Sequence, residues 1–204
     1  MDRIMQRIVG AIVNGIVGSS GKNYTELQIK TMKFGLETLL NEIVKFLIYF
    51  AIFAALSLLP YYLTACIFAF LIRFFAGGYH SDTLLGCLIT SFITFLLIVL
   101  GGTMISIGVC WKTALAFSSI AVTVLYAPVD HPNKPIVNPD RRKRFRTASI
   151  VTAVLLSIIG LALPGSYSNV SILGIFITAL MIPAGHFKNR HALRQAEKER
   201  LENL

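Results

Sequence analysis

Two side chains in this 204-residue chain, His80 and Cys87, have the types and placement for covalent chemistry. A thiolate is a nucleophile, a neighbouring imidazole and a helix N-terminus both favour it, and an imidazole can pass the proton to a leaving amine. Both residues lie in the stretch Arg73-Phe-Phe-Ala-Gly-Gly-Tyr-His80-Ser-Asp-Thr-Leu-Leu-Gly-Cys87. Gly77-Gly78 ends one apolar run, and Ser81 or Asp82 is placed to cap the helix that follows. Seven residues apart on an unbroken helix, the two side chains would be about 10 Å apart along the axis, too far for proton transfer. The pair therefore works only if the helix begins after His80, so that the chain can bend the imidazole back toward Cys87. Asp82, Asp130 and Glu42 are the candidates for a third group that orients His80, although a dyad needs none. Backbone N–H groups near Gly77, Gly78 or the start of the next helix are candidates for an oxyanion hole.

Other polar groups offer less. Cys66 and Cys110 complete an odd set of three cysteines without CxxC spacing, so neither a disulfide framework nor a metal site is expected. His186 and His191 are five apart, a poor spacing for a shared metal, and read as solvated tail residues. No Walker loop, GxSxG elbow, HExxH or dinucleotide fingerprint is present, and no cofactor is expected. Three prolines in Ala127-Pro128-Val129-Asp130-His131-Pro132-Asn133-Lys134-Pro135 hold that segment extended. The basic run Asp140-Arg141-Arg142-Lys143-Arg144-Phe145-Arg146 follows it. Its plain reading is a topology signal. Its functional reading is a dock for an anionic peptide, with Lys134, Arg141, Arg142 and Arg144 as the contacts.

These residues need a scaffold, and composition says which kind. The chain is 55% hydrophobic and 14% charged, with a mean hydropathy of +0.69. A water-soluble core of this size cannot hide that much apolar surface, whereas several spans of about 20 residues can. Six apolar stretches are evident, at about 36–59, 61–75, 84–107, 114–127, 147–163 and 170–183. The second, fourth and sixth are short, which leaves tilt or a partly re-entrant path open. Ahead of them, Ile4, Ile8, Ile12 and Ile16 share one helical arc with Met5 and Val9, opposite Asp2, Arg3, Gln6, Arg7 and Asn14. That pattern predicts an amphipathic helix in the headgroup plane. Asn23 or Thr25 can cap the next helix, completed by Glu26 or Gln28. The expected fold is an all-α integral membrane protein of about six transmembrane helices plus an N-terminal interfacial helix. Its parts are an interfacial helix at 1–20, a polytopic domain at 21–187 and a basic tail at 188–204.

The net charge of +9 would suggest nucleic acid in a soluble chain. Here its distribution gives another reading. With six crossings and the N-terminus inside, 17 of the 19 Lys and Arg fall on the cytoplasmic side, leaving Lys112 outside and Lys45 within the first span. Such asymmetry predicts cytoplasmic N- and C-termini and attraction to anionic lipids, with no nucleic acid partner. His80 and Cys87 then lie near the cytoplasmic face. Glu42 and Lys45, three residues apart in the first span, are close enough to neutralise each other or to snorkel to that face.

The arrangement Arg73-x-x-Ala76-Gly77-Gly78-x-His80, followed by Cys87 and then by Ala127-Pro128-x-Asp130-x-x-x-Lys134-Pro135, resembles the accessory gene regulator protein B family. The element Lys33-Phe-Gly-Leu-Glu37 before the first span is similar too. The resemblance covers essentially the whole chain. It implies a cysteine endopeptidase of the bacterial cell membrane, with Cys87 as nucleophile and His80 as base. Its substrate would be the precursor of a quorum-sensing autoinducing peptide, cleaved at its C-terminal segment and cyclised to a thiolactone or lactone. A homodimer is also implied. The alternative is a non-enzymatic transporter or scaffold, in which Cys87 fills space and His80 sits near a cap. A transporter would more naturally show internal repeats or polar groups at mid-membrane, and no repeat is evident. An enzyme acting on lipid headgroups would lack acidic metal ligands.

Overall fold

The computed structural model describes residues 2–21, 23–79, 83–129, 136 and 138–202, with the side chains of 2–5, 84 and 190–202 outside the description. The regular elements are α1 (Asp2–Ser19), α2 (Glu26–Ala55), α3 (Leu59–Ala76), α4 (Leu84–Met104), α5 (Val109–Tyr126), α6 (Pro139–Ala162) and α7 (Gly165–Glu202). Among the described residues, six stretches are long and apolar enough to cross a membrane: Glu26–Ala55, Leu59–Ala76, Leu85–Met104, Val109–Tyr126, Pro139–Ala162 and Gly165–Asn189. The chain is an all-α membrane protein. The two shortest spans have 18 residues each. At 1.5 Å per residue they measure about 27 Å, enough for a thin or average hydrocarbon layer.

Local signals set the helix boundaries. Thr25 accepts from the Gln28 amide while the Gln28 side chain accepts from the Thr25 amide, a reciprocal cap that starts α2. α2 then runs 30 residues, about 45 Å, so it extends beyond a hydrocarbon layer of about 30 Å. Its buried positions, Lys45, Tyr49 and Phe53, recur every four residues and form one stripe. Tyr49 and Phe53 meet Tyr62 of α3 and Phe92 of α4, with Phe53 stacked on Tyr62 at 4.8 Å. The Tyr49 hydroxyl donates to the Leu88 carbonyl at 2.5 Å, which locks the register of α2 against α4.

α7 is the hub of the bundle. It packs against α3, α4, α5 and α6, and half of its apolar window is buried against 17% for α2. Gly102 lets α4 approach it closely: a Cβ there would lie 2.7 Å from the Val170 amide nitrogen. Asn169 holds the same junction by donating to the Gly102 and Ile105 carbonyls at 3.2 and 3.0 Å. Hydropathy alone ends the sixth stretch at Pro183, but the helix continues through it to Glu202. Proline is tolerated in membrane helices because neighbouring groups re-satisfy the backbone it disrupts.

Two sequence expectations change at the other helix starts. The cap of α4 is Thr83, whose hydroxyl accepts from the Gly86 amide at 3.1 Å; Ser81 and Asp82, the expected caps, lie outside the described residues. The basic run, which lies ahead of the apolar stretch expected at 147–163, belongs to the same helix as that stretch. Asn138 caps α6, Pro139 occupies its first turn, and Arg141 to Arg146 form its opening turns. Helix α1 buries Val9 and Val13 and packs against α2, while Ile8, Ile12 and Ile16 remain exposed. Its amphipathic pattern thus divides into a protein-facing pair and an outward apolar row.

Candidate active site

α3 ends at Ala76, and Gly77 and Gly78 carry the chain out with φ of +73° and +155°. These backbone conformations favour glycine. The turn is fastened on three sides. Arg73 donates from Nη2 to the Tyr79 carbonyl at 3.0 Å, the Tyr79 amide donates to the Met181 carbonyl of α7 at 3.0 Å, and the Val129 amide donates to the Ala76 carbonyl at 2.9 Å. The Lys188 ammonium lies 4.9 Å from the centre of the Tyr79 ring. α7 presents Gly185 to this turn, and a Cβ there would lie 2.5 Å from the Gly78 carbonyl carbon and 2.7 Å from the Tyr79 nitrogen. Gly185 is therefore a seat shaped for the turn. Local sequence reading missed it, the available signal being a glycine two residues after Pro183 in an otherwise helical pattern.

The next helix starts at Leu84, so the break required between His80 and Cys87 is present. His80 itself lies outside the described residues, as do Asp82, Asp130 and Lys134. Cys87 is half-buried in the first turns of α4. The Lys45 ammonium of α2 donates to its sulfur at 3.4 Å and to Glu42 Oε1 at 2.6 Å. The Lys45 side chain is 6% exposed and that of Glu42 49% exposed, so this lysine points inward and does not snorkel. Among the expected amide donors, those of Gly77, Tyr79 and Cys87 are already bonded, to Arg73, Met181 and Thr83 respectively. These three are therefore not an oxyanion hole in this arrangement.

Cys87 opens into a cavity of about 540 Å³, within the range of small-ligand sites. Glu42, Lys45, Tyr49, Arg73, Gly77 and Tyr79 contribute to its wall, together with a mainly apolar lining from α2, α3 and α4. A second cavity, about 670 Å³, is lined by the start of α2, the Gly77-Gly78 turn, Val129, Arg141 and Phe145. Thr38, Arg73, Phe74 and Gly77 line both. The two cavities are therefore adjacent across the turn. Of the basic cluster, Arg141, Arg142 and Arg144 are all exposed, but Arg141 alone of the three lines this space, with its guanidinium 5.5 Å over the Phe145 ring. Cys66 shares the Cys87 cavity, and Cys110 is exposed at the start of α5. His186 is not a solvated tail residue: it is half-buried, with its ring edge-on to Tyr126 at 5.8 Å.

Fold and site define a polytopic helical membrane protein with a cysteine, a buried lysine and a glycine turn gathered beside one cavity. The sequence profile described as Accessory gene regulator B matches residues 6–182. The chain belongs to that family. Similar proteins include the accessory gene regulator protein B of Staphylococcus carnosus, 26% identical over 184 residues, which cover 90% of this chain and 95% of the relative. That of one Staphylococcus aureus strain is 30% identical over 161 residues, 78% of this chain and 85% of the relative. No solved structure matches. Membership indicates a role in the agr quorum-sensing system.

Proposed function

We propose that the protein is a membrane-embedded cysteine endopeptidase that removes the C-terminal segment of an autoinducing-peptide precursor and promotes its cyclisation. The carrying observation is the position of Cys87: its sulfur faces a buried ammonium inside a cavity, at the head of a helix that restarts just after His80. Family membership agrees with this reading. In the reaction, the sulfur attacks the scissile carbonyl carbon, the S–C bond forms and the C–N bond breaks, and His80 delivers the proton taken by the departing amine. The resulting thioester is more reactive than the amide, so its survival needs water kept away, and the apolar walls around Cys87 supply that. A thiol or hydroxyl of the held peptide then attacks the thioester carbonyl and releases Cys87, giving a thiolactone or lactone. Holding both ends in one cavity makes this step effectively unimolecular.

The charge asymmetry supports a cytoplasmic N- and C-terminus and an active site near the cytoplasmic face of the cell membrane. Anionic lipids and a second copy of the chain are the accompanying partners in this reading. The test uses purified chain in nanodiscs with a cognate precursor and mass spectrometry of the products. Cleavage with release of a C-terminal fragment and a cyclic product is expected, and it is retained in Cys66→Ala and Cys110→Ala. Absence of any cleavage by the inserted, intact chain would overturn the proposal.

The adjacent cavity beside Arg141 suits an anionic segment of a peptide substrate. Neutralising Arg141, Arg142 and Arg144 to glutamine is expected to raise KM by about tenfold, since exposed charge pairs are each worth up to about 1 kcal/mol. It should also flatten the salt dependence of KM. Arg141→Gln alone should carry most of the effect, because Arg141 lines the space. Unchanged kinetics at low salt would contradict the dock.

A further inference from the structure

Among the described residues the Lys45 ammonium donates a hydrogen bond to the Cys87 sulfur, and no step of the reaction above uses it. A lysine held at 6% side-chain exposure in a membrane-spanning helix is costly unless its charge is compensated. Glu42 compensates it from one side at 2.6 Å, yet the same nitrogen also reaches across to α4, 42 residues away, to donate to sulfur at 3.4 Å. The reach is built in. Lys45, Tyr49 and Phe53 form the buried stripe of α2, and the Tyr49 bond to the Leu88 carbonyl fixes that stripe one residue from Cys87. Glu42, its ion-pair partner, is by contrast half-exposed.

We propose that Lys45 is a further catalytic residue, the cation that balances the sulfur of Cys87 when it carries negative charge, and that Glu42 is its positioning residue. This assignment rests on Cys87 being the nucleophile. With the thiolate present, Lys45 lies between two anions. When the S–C bond forms and the sulfur becomes neutral in the thioester, Lys45 and Glu42 remain as a neutral pair, so loss of the thiolate leaves the lysine compensated. The ammonium thus serves the attacking and resting forms alike, and it does so without transferring a proton.

The test reads charge beside the sulfur directly. In full-length protein carrying Cys66→Ala and Cys110→Ala, Cys87 is the one cysteine, and its alkylation by anionic iodoacetate is compared with that by neutral iodoacetamide at one pH. Lys45→Met should lower the iodoacetate-to-iodoacetamide rate ratio by about tenfold, the size expected for removing a unit charge a few ångströms away. Glu42→Gln should shift the ratio the opposite way, and Lys45→Arg should keep it within about threefold of the parent. Unfolding of Lys45→Met would announce itself as faster iodoacetamide labelling, whereas the proposal requires that rate to stay level or fall. Should that occur, the opposed response of Glu42→Gln decides: a ratio that rises supports the proposal, and a ratio unmoved overturns it. A parent-like ratio in folded Lys45→Met also overturns it. That result would leave Cys87 as nucleophile untouched, because the nucleophile is judged separately by whether Cys87→Ala still cleaves precursor.

Discussion

Cys87→Ala is expected to abolish precursor cleavage, lowering the rate on the order of 10⁴-fold or more, with the protein still inserted and monodisperse. The magnitude follows from losing the covalent route altogether: what remains is binding and any electrostatic stabilisation in the cavity, acting on water as the nucleophile. Water is a poor replacement where the walls are apolar. The fold should survive, because Cys87 is half-buried and its sulfur contributes one contact with Lys45, while the α2–α4 register is held by Tyr49 on the Leu88 carbonyl and by aromatic packing around Phe53 and Tyr62. His80→Ala should fall in the same range, since members of a nucleophile–base unit are not additive. Cleavage by Cys87→Ala at a tenth of the parent rate would remove the covalent mechanism, and the same result for His80→Ala would remove His80 as its base.

Gly185→Ala is expected to lower kcat by about a hundredfold. Two effects compete here. Alanine in place of glycine within a helix is worth up to about 1 kcal/mol of added helix stability. Against that, the new methyl would lie 2.5 Å from the Gly78 carbonyl carbon and 2.6 Å from its oxygen, and both neighbours are backbone. No side-chain rotation relieves such a contact, so the turn must move. Displacing a catalytic element by about 1 Å costs on the order of 10² in rate. The turn carries Arg73's bond to Tyr79 and leads into the segment bearing His80, so its displacement acts on the reaction more than on the core. Rate assays with circular dichroism check both halves. A parent-like kcat would mean that the seat on α7 does not control the turn.

Much of the architecture is legible before any coordinates, for physical reasons. Apolar runs long enough to span a bilayer announce the six crossings, and Thr25 with Gln28 announces the start of α2. The Gly77-Gly78 pair marks the end of α3, and α4 restarts at Leu84, between His80 and Cys87 along the chain. What local pattern could not supply was partnership between helices. Lys45 and Glu42 read as a self-contained pair because they are three residues apart. The bond from Lys45 to Cys87 spans 42 residues and depends on the aromatic register of α2 against α4. Gly185 was invisible for the same reason. Its role is defined by the backbone of Gly78 and Tyr79, in the turn after α3, which only the folded chain brings near. The sixth apolar stretch ends at about residue 183 because hydropathy falls there, whereas α7 continues to Glu202, since a helix does not stop where its apolar run does.

The basic run shows how one feature can carry two meanings. As a sequence it is first a topology signal, and its position at the cytoplasmic side of the expected crossings fits that. In the fold it is helical, and helical geometry sorts its members: all three arginines are exposed, but Arg141 lines the second cavity and Arg142 and Arg144 do not. A dock made mainly by one arginine is a narrower claim than a cationic patch, and it is easier to refute.

The measurement that tests the central claim most directly is the intact mass of the enzyme during turnover. In the Cys66→Ala, Cys110→Ala background, rapid acid quenching of chain mixed with precursor should trap a species heavier than the chain by the N-terminal precursor fragment less one water. Peptide mapping should place it on Cys87, and hydroxylamine should release it as a thioester. Precursor cleaved at full rate with no such adduct, or with the adduct on another residue, would contradict the account.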